Sequence, residues 1–69
     1  MKKYQLSPAQ IKKFRKSLGL TQTEFGEIVG VEKKAVTHWE QGKHTPHPIF
    51  RNIIVNLAKE KGIDLDKDE

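Results

Sequence analysis

Residues 21–42 read TQTEFGEIVGVEKKAVTHWEQG, and this stretch decides the fold. From Gln22 to Val29 the apolar residues Phe25, Ile28 and Val29 recur at helical spacing, behind a start signal in which Thr21 caps and Glu24 reaches back. Leu20 and Phe25 bracket that start as a hydrophobic staple, and Gly26 leaves room for a neighbouring helix to approach closely. Gly30 supplies a tight turn and Val31 turns back into the core. A second helix then runs from about Lys33 to Gln41, with Val36 and Trp39 as its buried pair and Gly42 as its C-cap. Two short helices hinged on one glycine, the second basic where it begins, form an arrangement that presents a helix to the major groove of DNA.

Working outward, Leu6-Ser7-Pro8-Ala9-Gln10-Ile11 announces an earlier helix: Ser7 caps, Pro8 fits the first helical position, Gln10 completes a capping box, and Leu6 and Ile11 form a staple. Ile11, Phe14 and Leu18 then repeat on one face until Gly19, which predicts a helix over about 8–18. Downstream, the prolines of Lys43-His44-Thr45-Pro46-His47-Pro48 forbid regular helix and mark the main connecting loop. A last helix is expected over about 48–61, ended by Gly62. Its apolar residues, Ile49, Phe50, Ile53, Ile54, Val55, Leu57 and Ala58, wrap too far around for one core. A stripe of Phe50, Ile53 and Leu57 is expected to pack on the other helices, leaving Ile49, Ile54 and Val55 for a dimer interface. The acidic tail over 63–69 reads as frayed chain or, alternatively, a short extended arm.

Composition bounds the rest. A chain of 69 residues makes one domain, marginal in core size. It contains no cysteine, so no disulfide or thiolate metal site staples it, which agrees with a reducing cytoplasm. No apolar run has the length of a membrane span or signal-peptide core, and the expectation is a cytoplasmic protein without membrane contact. The net charge of +4 understates the basic body. Residues 1–63 carry twelve Lys or Arg against five Asp or Glu, whereas residues 64–69 carry one against four. A basic body suggests a polyanionic partner.

With these residues laid out, the chain resembles the helix-turn-helix domain of the lambda-type phage repressors and Cro proteins, the XRE-like regulators. The resemblance covers about residues 7–61 and rests on Arg15, Leu18-Gly19-Leu20-Thr21-Gln22, the small Gly26, the Gly30-Val31 hinge, Val36, Trp39-Glu40 and Gly42. Family members more often carry alanine at the position of Gly26. The resemblance implies an all-α, compact domain of four helices, five being the alternative count. It also implies an ion pair of Arg15 with Glu40 joining the first helix to the third.

The same resemblance places base-edge contacts on Lys33, Lys34 and His38. Lysine donates to O6 and N7 of guanine, and histidine donates to such an edge or meets a thymine methyl. Thr37 falls beside them as a phosphate contact, and phosphates should also be held by Gln22, Gln41, Lys43 and His44. Lys12, Lys13 and Lys16 only add field. The expected function is a sequence-specific regulator, a repressor or autorepressor, that binds double-stranded DNA at a palindromic operator as a homodimer. The alternative is an antitoxin-type module that binds a toxin partner and autoregulates its operon. Enzymatic chemistry finds no cysteine nucleophile, glycine-rich phosphate loop or acid pair, and no cofactor is implied. His44-x-x-His47, in a proline-broken loop, has a spacing too common to signal metal.

Overall fold

The computed structural model describes residues 6–63 and 65. They form α1 (Pro8–Ser17), α2 (Gln22–Val29), α3 (Lys33–Gln41) and α4 (Pro48–Glu60), with no strand among the described residues. Both capping boxes are built: Ser7 Oγ accepts from the Gln10 amide at 3.1 Å while Gln10 Oε1 accepts from the Ser7 amide at 2.9 Å. The Thr21 and Glu24 pair repeats this at 3.1 and 2.9 Å. Each box satisfies two of the amides that a helix start leaves without partners, so these short helices begin at fixed residues.

The turn between α2 and α3 is equally determined. Gly30 sits in the left-handed region at φ 102°, and the Gly26 carbonyl accepts from both Gly30 N at 2.7 Å and Val31 N at 2.8 Å. Gly26 is buried against this turn: a Cβ there would lie 2.6 Å from the Val31 carbonyl oxygen. The close approach is therefore backbone on backbone, and glycine is what permits it.

The core is centred on Ile11, Phe14, Phe25, Val36 and Ile54, all essentially inaccessible. Phe14 and Phe25 meet edge-to-face with centroids 6.0 Å apart, the arrangement that ring quadrupoles favour. α3 packs on both α1 and α2, and α4 closes over α2, with Trp39 tilted on Phe50 at 6.3 Å.

α4 is rotated from the expected orientation. Ile54, Val55 and Ala58 are buried, with Phe50 and Leu57 half-buried, whereas Ile49 is 60% and Ile53 37% exposed. At about 100° per residue the inward arc runs from Leu57 through Phe50, Ile54 and Ala58 to Val55, and Ile53 and Ile49 fall beyond its edge. Ile54 and Val55 are thus core residues of the protomer and are withdrawn from the expected dimer interface; of the three residues assigned there, Ile49 is left.

Beyond α4 the chain folds back. Ile63 N donates to the Ala58 carbonyl at 2.8 Å, Ile63 is half-buried, and Leu65, like Leu6, is buried in the core cluster. Gln10 Nε2 donates to the Leu65 carbonyl at 2.6 Å. The reading of 63–69 as frayed is corrected for Ile63 and Leu65, because their apolar side chains pack with the core. Asp64, Asp66, Asp68 and Glu69 lie outside the described residues.

Candidate nucleic-acid interface

α3 divides lengthwise. Ala35, Val36, Trp39 and Glu40 face the protein, while Lys33, Lys34, Thr37, His38 and Gln41 share the opposite face. Lys33, Lys34 and Gln41 are exposed, and Thr37 and His38 are half-buried. Spacings of one, four, five and eight residues put these five side chains within one broad arc. Gly42, at φ 79°, ends the helix, and Lys43 N turns back to the His38 carbonyl at 3.0 Å. That return holds Lys43 and His44 at the C-terminal end of the same face, with the His44 ring 5.1 Å from that of His38.

The electrostatics differ along the face. Lys33 and Lys34 stand at its start. His38 is held below the ordinary histidine range by partial burial, and further by electrostatic repulsion from its neighbours His44, Lys43 and Lys34. Its ring is consequently neutral near pH 7, with one nitrogen donating and one accepting. Glu32 precedes the helix as N-cap yet makes no side-chain cap hydrogen bond, so an exposed carboxylate stands beside the two lysines. Glu32 carries no helix-start motif of its own; the one signal in the sequence is the lack of Ser, Thr, Asp or Asn at the cap.

A buried polar network holds this helix at its angle. Arg15 Nε donates to Glu40 Oε2 at 2.7 Å and its Nη2 to Oε1 at 3.2 Å, while Nη1 reaches the Leu20 carbonyl at 2.9 Å. The two side chains retain 11% and 5% of their exposure. For the Glu40 carboxyl, burial by itself would raise the pKa, but hydrogen bonds from Arg15 and Gln22 and the charges of Arg15 and Lys12 together hold it below the usual range. The bond to Glu40 raises Arg15 in turn. Gln22 joins the same network: its Nε2 donates to Glu40 Oε1 at 3.0 Å, and its Oε1 accepts from Thr37 Oγ1 at 3.0 Å. Gln22 and Thr37, both read from the sequence as phosphate contacts, are thus hydrogen-bonded to each other across α2 and α3. His47 accepts from Ile49 N at 3.2 Å as the cap of α4, which occupies its Nδ1.

A helix-turn-helix family model matches residues 11–49, from within α1 to the start of α4. The chain belongs to the helix-turn-helix family. Among curated proteins it is 36% identical over 62 residues to an uncharacterized HTH-type transcriptional regulator of Methanothermobacter thermautotrophicus, covering 84% of this chain and 90% of that protein. It is also 34% identical over 56 residues to the type II methyltransferase M.MspI of a Moraxella species. That alignment covers 81% of this chain but 13% of the enzyme, so what is shared is a segment of helix-turn-helix size. The family match and the regulator support a DNA-binding regulator, with α2 and α3 as its helix-turn-helix. No helix among the described residues is long and apolar enough to cross a membrane.

Proposed function

We propose that this helix-turn-helix chain is a cytoplasmic, sequence-specific regulator that represses transcription, its own included, by setting α3 in the major groove of an inverted-repeat operator. The observation that carries the reading is the lengthwise division of α3. Its inner arc is fixed by Trp39 and the Arg15–Glu40 pair, and its outer arc carries Lys33, Lys34 and His38 with no core duty. In this reading Lys33 and Lys34 donate to guanine O6 and N7, and His38 meets a base edge one turn further on. Gln22, Gln41, Lys43 and His44 hold phosphates and fix register without reading sequence.

Two copies would pair through the exposed Ile49 and Ile53 of α4, which stand one turn apart. Their α3 helices would then enter successive major grooves, with half-site centres about 34 Å apart. A second reading, an antitoxin that also binds a toxin, is favoured by Ile28, a further large apolar residue left 51% exposed on α2. Gel shifts on the DNA upstream of the chain's own gene, across a salt series and beside an unrelated duplex, test the main reading. Specific, salt-sensitive binding that Lys34→Ala weakens is expected; binding with no sequence preference and no response to Lys34→Ala would sink it. Light scattering of the free protein separates a homodimer from a monomer awaiting another chain.

A further inference from the structure

Thr37 lies on the outer arc of α3, where a phosphate contact was expected of it, but its hydroxyl hydrogen has protein acceptors. Thr37 Oγ1 is 3.0 Å from Gln22 Oε1 and 3.0 Å from the Lys33 carbonyl of its own helix. A hydroxyl has one hydrogen, and both acceptors turn it toward the protein. The Gln22 amide is constrained from the other side as well. Glu40 Oε1 belongs to an ionised carboxylate that can only accept, so the Gln22 atom 3.0 Å from it must be the nitrogen. With nitrogen on Glu40 and oxygen on Thr37, a flip of the amide would set oxygen against carboxylate.

We propose that Thr37 and Glu40 are positioning residues that lock the Gln22 side-chain amide in one flip, leaving its second N–H as a pre-aimed donor to a DNA phosphate. This rests on the DNA-binding reading above. Nε2 has two hydrogens and Glu40 takes one; among the described residues no acceptor meets the other, and Gln22 is only half-buried. Gln22 is also the first residue of α2, whose backbone N–H has no partner within the helix. In this account one phosphate oxygen takes both donors of Gln22, one set by the helix and one by the lock. The arrangement couples the ion pair that orients α3 to the contact that seats α2 on the DNA backbone. Thr37, in this account, acts through Gln22 and does not itself touch DNA.

The test has two parts. In the free protein, NMR of the Gln22 side-chain amide should show two well-separated protons with slowed exchange, collapsing toward ordinary exposed-glutamine behaviour in Thr37→Val. On the upstream duplex, Thr37→Val should weaken binding by about tenfold, the scale of a hydrogen bond to a charged group, with a melting midpoint near that of wild type. Thr37→Ser should restore it. In a Gln22→Ala background, Thr37→Val should cost nothing further. The same loss in both backgrounds would make Thr37 an independent phosphate contact and overturn the proposal, as would a Gln22 amide that behaves as exposed in wild type. If wild type fails to bind duplex DNA, the functional reading falls and the clamp with it, while the NMR result still decides whether the lock exists.

Discussion

Replacing Glu40 by alanine removes the acceptor of three hydrogen bonds at once, two from Arg15 and one from Gln22. The Arg15 guanidinium cannot escape to water without rearrangement, because its side chain retains 11% exposure and α1 and α3 close over it. Breaking a buried pair by deleting one partner typically costs about 3–5 kcal/mol, since the remaining charge stays desolvated. Here Arg15 keeps its bond to the Leu20 carbonyl, which argues for the lower end, about 3 kcal/mol. A domain of this size is stable by roughly 3–10 kcal/mol, and each kcal/mol moves the melting midpoint by about 4–8 °C. Glu40→Ala should therefore melt at least about 12 °C below wild type. Urea and thermal unfolding followed by circular dichroism measure this directly, with Glu27→Ala on the exposed side of α2 as control. The double variant Arg15→Met, Glu40→Leu should recover most of the loss, because it removes both charges together. Equal midpoints for Glu40→Ala and Glu27→Ala would refute the reasoning, and so would a double variant as unstable as the single one.

Three further outcomes follow from the same geometry. Glu40 titrates below its unfolded value of about 4.3, so its contribution is present above that pH and is lost as pH falls through the lower folded value; acid unfolding of Glu40→Gln should accordingly depend less on pH below about 4 than that of wild type. At Gly26 an added methyl meets the Val31 carbonyl oxygen at 2.6 Å, and Gly26→Ala should cost a net ~1 kcal/mol in urea, the helical preference of alanine offsetting part of the overpacking; a more stable variant would mean that the turn yields readily. Glu32→Ser supplies the missing cap of α3 and should raise stability by about 0.5–1 kcal/mol, and an unchanged midpoint would show that the exposed carboxylate already serves the helix start.

How much of this was legible in the sequence depended on range. Ser7 with Gln10 and Thr21 with Glu24 act over three residues, and the spacing alone was enough to place both helix starts. The division of α3 was equally plain, since Val36 and Trp39 are its large apolar residues and leave no choice of inner face. α4 was different: apolar residues cover most of its circumference, so periodicity could not say which arc turns inward. Packing decides that, through Trp39 on Phe50 and the insertion of Ile54 into the core. The Arg15–Glu40 pair came from family resemblance, because nothing local relates residues 25 apart. The links of Gln22 to Thr37 and Glu40, at 15 and 18 residues, had no sequence signal beyond their residue types. Leu65 was obscured by the acidic residues around it, whose charge suggested solvated chain.

The hydrogen bond from Gln10 to Leu65 spans 55 residues of sequence, and it ties the first turn of α1 to the segment that follows α4. A contact between parts so far apart in sequence is held by both at once, so α1 and the segment after α4 should gain or lose amide protection together. Leu65→Ala should therefore speed amide exchange across the first turn of α1 as well as after α4, which hydrogen exchange reads residue by residue.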